Sequence, residues 1–328
     1  MSIFIPKVII LHYINSMSER NKRTEAIILT LKTVGEDNKL VTYFSRENGI
    51  CQGMLFGGPR SKLRSMVQPF NTGTLYLYND ESKKSSKITD FDVKDFHLDL
   101  RQNLYKIMAA DLAGEILLKT RCAGDYENSY ILFSAFLTGI DLSTEEEARL
   151  GTLRFLWRYI CLLGQQPDLH LCKDCGESLL SKEYDSFYIH HKNGFICHEC
   201  IKNYNSEDKI FSMDKYALTY LAAINELSPG QVRKLQIGAS SAWQIKNFVF
   251  SLISYACGGK LKTLEDGHSI QSFFILFWLV YCIFIFFNYD IYDIIKQIFF
   301  RWDYYENSRF NHEKKRLSYS AFSIFNRR

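Results

Sequence analysis

The chain has 328 residues, of which 47% are hydrophobic and 23% are charged, and its net charge is +4 at pH 7. This length predicts two or three domains, and the composition is that of an ordinary globular protein, which excludes a disordered chain. The net charge is too small to indicate nucleic-acid binding alone, but it is unevenly distributed. Residues 22–89 hold eleven Lys or Arg against six Asp or Glu, so the remainder of the chain is close to neutral.

The first sixteen residues, MSIFIPKVIILHYINS, carry one lysine and lack the small-residue cleavage pattern of a signal peptide. A conventional soluble beginning, MSERNKRTEA, opens at Met17. We therefore expect residues 1–21 to be an extraneous or disordered N-terminal extension.

Residues 22–91 have the patterns of five short strands: TEAIILTLK, NKLVTYFSR, ICQGMLFG, NTGTLYLY and KITDFDV. Between the second and third strands, Asn48-Gly49 predicts a type I′ turn, since both central residues of that turn need positive φ. Five strands in about 70 residues suit a small closed barrel of the OB type, which commonly binds nucleic acids. The fold class predicted is therefore α+β and multidomain, beginning with an OB-fold barrel.

Residues 92–169 change to a helical period and predict the first part of a mostly helical domain. Four apolar side chains share one face at i, i+4 spacing: Leu104, Met108, Leu112 and Ile116. A second helix covers residues 128–140. A third begins near Thr144, which can form a capping box with Glu147. Residues 204–266 predict the last part of this domain, with helices over Ser212–Leu227 and Ser240–Cys257.

An inserted module at residues 170–203 carries two C-x-x-C pairs, Cys172 with Cys175 and Cys197 with Cys200. Each pair can aim two sulfur atoms at one point, and two pairs complete the tetrahedron that Zn²⁺ prefers. A closed four-thiolate site leaves no position for water, so the predicted zinc is structural. Disulfides and a redox centre are the alternatives.

Three histidines lie near these cysteines: His190, His191 and His198. His198 could replace a cysteine as a ligand, but with four thiols available we expect a turn residue or a donor beside the metal. The other cysteines are isolated, at positions 51, 122, 161, 257 and 282. This usage is typical of a reducing cytoplasm.

The loop GGPRSKLR places Arg60, Lys62 and Arg64 at alternate positions of a glycine-rich backbone. Several cations on such a loop can contact a phosphate chain, although a solvated surface turn has the same composition. Lys39 and Arg46 could extend the surface. So could the aromatic side chains of Tyr43, Tyr76 and Tyr78, on which bases can stack, although for each of them packing in the barrel is the expected role.

The common motifs of catalysis are absent from the sequence. It contains no G-x-x-x-x-G-K-[ST], no G-x-G-x-x-G after a strand, and no G-x-S-x-G. The acidic run at residues 145–147 is most simply a helix start. We therefore predict that the protein is not an enzyme; a zinc-dependent enzyme would require an open coordination position.

Residues 267–328 form an atypical aromatic and apolar tail. No residue from 267 to 289 is charged, taking histidine as neutral, and this stretch is long enough for a membrane span. Residues 290–328 hold eight Lys or Arg and five acids, and by the positive-inside rule this basic segment would stay in the cytoplasm. The basic N-terminal region would be cytoplasmic as well, and a single membrane span cannot leave both ends on the same side. We expect a non-native or poorly ordered tail; a membrane anchor or a buried hairpin are the alternatives.

Three segments in the same order resemble the RecO family of bacterial recombination mediators. The first is TEAIILTLKTVGEDNKLVTYFSRENGICQGMLFGGPRSKLRSMVQPF; the second is LRFLWRYICLLGQQPDLHLCKDCG; the third is Lys-Leu-Lys-Thr at residues 260–263. The resemblance covers about residues 22–266. No single motif is diagnostic of the family, and the resemblance rests on the occurrence of all three in this order.

The resemblance implies a non-enzymatic DNA repair factor, cytoplasmic and associated with the nucleoid. Such a protein binds single- and double-stranded DNA and anneals complementary strands. With RecR it helps to load RecA onto strands covered by single-strand-binding protein (SSB), whose acidic C-terminal tail docks on the helical domain. The likeness also implies that the four cysteines are zinc ligands and that the basic loop lies on the DNA-binding surface. The alternative is a zinc-containing protein–protein adaptor with incidental DNA contact.

Overall fold

The computed structural model describes residues 20–58, 61–80, 85–181, 183–204 and 210–265. Almost all of the predicted extension, 1–21, and the whole predicted tail, 267–328, lie outside these ranges. Within them, no helix combines the length and the hydropathy that crossing a membrane requires.

Five strands close into a barrel at the N-terminal end of the described chain. They are β1 (Asn21–Val34), β2 (Asn38–Ser45), β3 (Gly49–Leu55), β4 (Thr72–Asp80) and β5 (Ser85–Asp95). Their order is β1-β2-β3-β5-β4, β4 pairs back with β1, and β3 runs parallel to β5 where Met54 faces Lys87. The barrel is OB-like, as predicted. Its interior is filled by alternating apolar side chains, among them Val41, Leu55, Leu75 and Phe91.

The turn between β2 and β3 differs from the prediction. It has three residues, 46–48, and of Asn48 and Gly49 only the glycine has positive φ, at 70°, so the pair does not form a type I′ turn. Three-residue hairpins commonly end in such a left-handed glycine. A Cβ on Gly49 would also lie 2.7 Å from the ring of Tyr126, so the turn needs glycine for two reasons.

Helices follow the barrel. They are α1 (Lys62–Met66) between β3 and β4, then α2 (Leu104–Thr120), α3 (Tyr126–Asp141), α4 (Glu145–Leu162), α5 (Lys215–Glu226), α6 (Pro229–Val232), α7 (Ala239–Ala256) and α8 (Lys262–Glu265). The helices α2 to α5 each begin at a side chain that accepts a hydrogen bond from the third backbone N–H of the helix: Asn103, Asp125, Thr144 and Asp214. The predicted cap at Thr144 is confirmed, but the Glu147 carboxylate contacts Arg154.

Two helix predictions need correction. Leu104 begins α2 but is exposed, and the buried face runs through Tyr105, Ala109, Leu112 and Ile116. The predicted helix from Ser212 starts later, because residues 210–213 form a strand. The cysteine module has a hairpin of β6 (Ser186–Ile189) and β7 (Gly194–Ile196), and β8 (Ile210–Met213) pairs with β6.

The barrel docks on α3 through its β2–β3 end. The ring of Phe44 meets the edge of Tyr130 at a centroid distance of 5.5 Å. Arg46 bridges the two parts, with ion pairs of 3.0 Å to Glu25 on β1 and 2.9 Å to Glu127 on α3. The barrel is therefore joined to α3 by an aromatic contact and by two ion pairs of a single arginine.

An unusual left-handed turn sets the direction of α3. Residues 121–124 have φ between 50° and 75°, and three of them are not glycine. Each such residue costs about 1–2 kcal/mol. The turn is held by the Cys122 carbonyl, which accepts hydrogen bonds from Asp125 N at 3.0 Å and Ser129 Oγ at 2.9 Å, while the Cys122 side chain is buried.

The C-terminal Lys-Leu-Lys-Thr motif is anchored on α2 by one carboxylate. Glu115 accepts hydrogen bonds from the backbone N–H groups of Lys262 and Thr263, both at 3.0 Å, and from the Thr263 hydroxyl at 2.8 Å. Burial raises the pKa of Glu115, but these bonds and the nearby charge of Lys119 outweigh it, so the pKa lies below its usual value.

We expect Glu115→Gln to lower the free energy of unfolding by about 1–3 kcal/mol at pH 7, because the amide replaces a charged acceptor of three bonds. Because the pKa of Glu115 is lowered in the folded state, its stabilising effect is fully present at pH values above the unfolded-state pKa of about 4.3. The effect is lost as the pH falls through the folded-state pKa. Urea unfolding across pH 3–7 measures both effects. Glu36→Gln, in an exposed turn, is the control; an equal loss in both variants would contradict the anchor.

Candidate nucleic-acid interface, metal centre and arginine groove

The four predicted cysteines converge. The Sγ atoms of Cys172, Cys175, Cys197 and Cys200 all lie within 4.8 Å of one another, and those of Cys175 and Cys197 are 3.7 Å apart. A tetrahedron with metal–sulfur bonds of about 2.3 Å has edges of about 3.8 Å. The four thiols therefore could hold a metal ion, and the donor set is the one expected for a closed structural site.

Two hairpin-like turns present these thiols. The first pair precedes Gly176, whose φ of 73° is left-handed, and the second follows a hairpin of β6 (Ser186–Ile189) and β7 (Gly194–Ile196). The backbone N–H of Lys173 donates to the Phe195 carbonyl at 2.8 Å, which joins the two turns. Asp174 adds a second tie, pairing with Lys192 at 2.5 Å and accepting from the Tyr204 hydroxyl at 2.6 Å.

The thiol pKa values shift in opposite directions. Burial raises the pKa of Cys172, but hydrogen bonds from backbone N–H groups and a neighbouring thiol outweigh it and lower the value to about 7. The pKa of Cys200 is raised, first by its contact with the Cys175 thiol and then by that with Cys197. Four thiolates at this spacing repel one another unless a cation lies between them, which is the environment that a metal ion completes.

The three histidines stay outside this set of donors. The ring of His198 stacks on Tyr184 at 5.2 Å, and the ring of His190 meets Tyr255 at 4.1 Å. Among the described residues, the only group assembled for a metal ion consists of the four cysteines.

The cysteine module is attached to the helices by aromatic rings. Tyr188 and Phe195, on β6 and β7, contact Phe248 of α7 at centroid distances of 4.8 and 5.3 Å. Phe248 in turn contacts Trp157 of α4 at 6.0 Å. The module therefore supports α4 indirectly, by way of Phe248 on α7.

The basic residues chosen from the sequence are spread over the barrel. Arg60 lies outside the described residues. Lys62 and Arg64 lie on the short helix α1, so their prediction as part of a loop is wrong. Lys62 is exposed, whereas the Arg64 guanidinium lies 3.5 Å from the carbonyls of Asp37 and Gly57. Lys39 and Arg46 flank β2 at opposite ends, about 23 Å apart at about 3.3 Å per residue, and Arg46 is held in its two ion pairs.

The structure separates the three tyrosines. Tyr43 is 3% exposed, so the expectation that it packs in the barrel is confirmed: inward alternation on β2 places it in the core, where it offers no surface for stacking. Tyr76 and Tyr78 are each 37% exposed on the outer side of β4. Directly opposite them, Arg23 on β1 pairs with Tyr76, and Lys87 on β5 pairs with Tyr78.

We call the surface of Arg23, Tyr76, Tyr78 and Lys87 the tyrosine face. Both cations are exposed, and sequence reasoning missed them, because only the register of three paired strands places Arg23 and Lys87 opposite the two tyrosines. Lys62 shares a crevice of about 470 Å³ with Tyr76, so a predicted cation and a predicted aromatic come together there. Asp90 and Asp92 line the same crevice and limit its positive charge.

A second concave surface lies between α3, α4 and α6, with a volume of about 380 Å³. We call it the arginine groove. Its floor is apolar and includes the stacked rings of Phe136 and Phe155, with centroids 4.4 Å apart. Three cations line it: Arg154, Arg158 and Arg233. Sequence reasoning missed this site, although Arg154 and Arg158 at i, i+4 already share one face of α4.

The charges in the groove do not balance. Glu147 is the single acid among the described lining residues, and it pairs with Arg154. Arg158 donates to the Ile224 carbonyl at 3.3 Å, and its pKa is lowered by burial and then by the positive charges of Arg154 and Arg233. Gly139 makes room for Arg233, since a Cβ there would lie 2.9 Å from its Nη2. An anionic ligand would relieve this repulsion.

Comparisons with known proteins agree with the order of these parts. A family model described as "Recombination protein O N terminal" matches residues 17–97, and one described as "Recombination protein O C terminal" matches residues 101–265.

Similar curated proteins carry the name DNA repair protein RecO. The one from Heliobacterium modesticaldum is 26% identical over 219 residues, 66% of this chain and 78% of the relative. The one from Caldanaerobacter subterraneus subsp. tengcongensis is 29% identical, covering 61% and 78%. The one from Bacillus pumilus is 28% identical, covering 66% and 75%. Because the two family models together match well over half of the residues, this chain belongs to the RecO family, whose role is in DNA repair and recombination.

Proposed function

We propose that the protein is a recombination mediator that acts without breaking covalent bonds. It binds single- and double-stranded DNA, anneals complementary strands and, with RecR, assists RecA loading on DNA coated by SSB. The observation that carries this proposal is the tyrosine face, two exposed aromatic rings on an OB-like barrel, each with an exposed cation opposite it on one neighbouring strand; on the other side, Asp90 faces Tyr76 and Asn21 faces Tyr78.

Base stacking is the contact that this face supports best. Tyr76 and Tyr78 are two residues apart on one strand, so their rings are spaced by about 6.6 Å. Every base offers a face for stacking, so the contact needs no particular sequence. That tolerance suits annealing, in which any two complementary strands must be held.

Phosphate contacts supply the rest of the affinity. Arg23 and Lys87 lie on the tyrosine face, Lys62 lies beside Tyr76, and Arg64 and Lys39 are further candidates; Arg60 is a candidate on the sequence alone. Arg46 is the weakest candidate, because it would have to leave two carboxylates to contact a phosphate. Neutralising about five phosphates of a single strand gives a slope of log K against log salt near −3.5, at roughly 0.7 per phosphate.

We expect Tyr76→Ala and Tyr78→Ala each to weaken single-strand binding by about 1–3 kcal/mol while leaving the salt slope unchanged, since stacking is lost and the phosphate contacts remain. Lys62→Ala with Arg64→Ala should instead flatten the slope by about 1.4. Fluorescence anisotropy with a labelled oligonucleotide, titrated at several salt concentrations, measures both quantities. Tyr216→Ala, an exposed tyrosine on α5, is the matched control.

Strand annealing separates this function from the alternative, a zinc-containing adaptor. Purified protein should accelerate the pairing of complementary oligonucleotides at low salt, and an adaptor should not. Pairing at the rate of buffer alone would rule out the proposed role of the barrel.

The arginine groove is our candidate for the acidic C-terminal tail of SSB. Its apolar floor suits a large apolar side chain, and its three arginines suit carboxylates. Arg154 is buried and Arg158 is half-buried, and charge-assisted hydrogen bonds are stronger there than at the surface.

We expect Arg233→Ala to weaken binding of an acidic peptide by about tenfold or more, because one charge-assisted hydrogen bond is lost. Lys234→Ala removes the same charge from the next position, which does not line the groove, and should change affinity less than twofold. Isothermal titration with an aspartate-rich peptide ending in a free phenylalanine carboxylate measures the difference. Equal effects would place the peptide elsewhere.

We propose that the four cysteines bind one structural Zn²⁺. Purified protein should contain about one zinc per chain, and Cys175→Ser should lose most of it together with several degrees of thermal stability, since metal binding is coupled to folding of the module. Metal analysis and thermal unfolding check both. Cys161→Ser, an exposed isolated cysteine, should keep the metal; full metal content in both variants would contradict the site.

A further inference from the structure

Glu147 faces the arginine groove from the first turn of α4. Its carboxylate forms an ion pair with Nη2 of Arg154. The two residues are seven positions apart, about two helical turns, so their side chains share one face of α4. The groove therefore carries its own carboxylate on one of its three cations.

The start of α4 does not depend on this carboxylate. Thr144 Oγ1 accepts from the backbone N–H of Glu147, so the cap uses the main chain of the residue. Replacement of the side chain leaves the cap in place. Glu146, the preceding residue, is exposed and lies outside the groove lining.

The side chains of Glu147 and Arg154 differ in how firmly the surrounding structure holds them. The Arg154 side chain is 7% exposed and its Nη1 donates to the Tyr220 hydroxyl at 3.0 Å, so it is fixed from the α5 side. The Glu147 side chain is 32% exposed. The carboxylate can therefore turn into water when another anion takes its place on Arg154, whereas the guanidinium stays in the groove.

We propose that Glu147 is a built-in competitor for the ligand of the arginine groove. It neutralises Arg154 while the groove is empty, and a carboxylate of an acidic peptide displaces it and takes its place on Nη2. This inference rests on the proposed binding of an acidic tail. The affinity of the groove for a peptide then depends on how well the peptide carboxylate outcompetes Glu147 for Arg154. Apolar peptides bind more weakly, because they cannot replace the ion pair.

The test measures binding of the aspartate-rich peptide with a C-terminal phenylalanine by isothermal titration to the full chain. Glu147→Gln should bind about three- to tenfold tighter than the unmodified protein, because the competing charge is gone. Glu146→Gln makes the same change in net charge and should stay within about twofold. Glu147→Asp keeps the charge but shortens the reach to Arg154, so it should also tighten binding and covers the case in which Glu147→Gln fails to fold.

The outcomes separate the two proposals. Tighter binding by both Glu147 variants, with Glu146→Gln unchanged, supports the competitor. If the Glu147 variants bind the peptide as tightly as the unmodified protein or more weakly, the proposal that Glu147 competes is wrong. The assignment of the peptide to the groove would still stand. Equal tightening by Glu146→Gln also overturns it, because net charge alone would then explain the effect. If the unmodified protein does not bind the peptide, both the groove assignment and this inference fall.

Discussion

Helix α3 is the element on which both candidate binding surfaces depend, because one of its faces contacts the barrel and the other lines the arginine groove. One face meets the barrel through Tyr126 and Tyr130, and Glu127 holds Arg46. The opposite face lines the arginine groove, where Gly139 admits the guanidinium of Arg233. The strained turn at residues 121–124 is the local cost of starting this helix in the one direction that serves both faces. A rigid helix shared in this way fixes the tyrosine face and the groove relative to each other.

The cysteine module supports the groove from the other side. A small segment with two short strands buries too little apolar surface to be stable alone, and a metal ion held by four thiols would supply the missing free energy. Its rings then fix Phe248, and Phe248 fixes Trp157 on the helix that carries Arg154 and Arg158. On the proposed zinc site, the metal would act on recognition through packing, without touching a ligand.

The parts with a local signal could be predicted from sequence, and the parts that depend on register could not. The spacing of the cysteines and the Thr144 cap are local patterns, and both were read correctly. Packing in the barrel was expected of Tyr43, Tyr76 and Tyr78 alike, and only Tyr43 lies inside, because the inward and outward positions of a strand are not fixed until the barrel closes. The tyrosine face required the pairing of three strands, and the groove required helices α4 and α6, about 70 residues apart, to meet. Arg46 looked like a surface cation because neither of its acidic partners is near in sequence.

The two positive surfaces differ in how salt acts on them, and this difference suits a mediator. Arg23, Lys62 and Lys87 are exposed, so their attraction to phosphate is screened over a Debye length of about 8 Å at physiological ionic strength. Arg154 is buried and Arg158 half-buried, so their attraction to a carboxylate is screened much less. On the proposed function, the groove would keep the protein on an SSB-coated strand while the barrel binds and releases DNA many times. Weak, reversible contact at the barrel is then an advantage, since strands that are held too tightly cannot be matched with their complements.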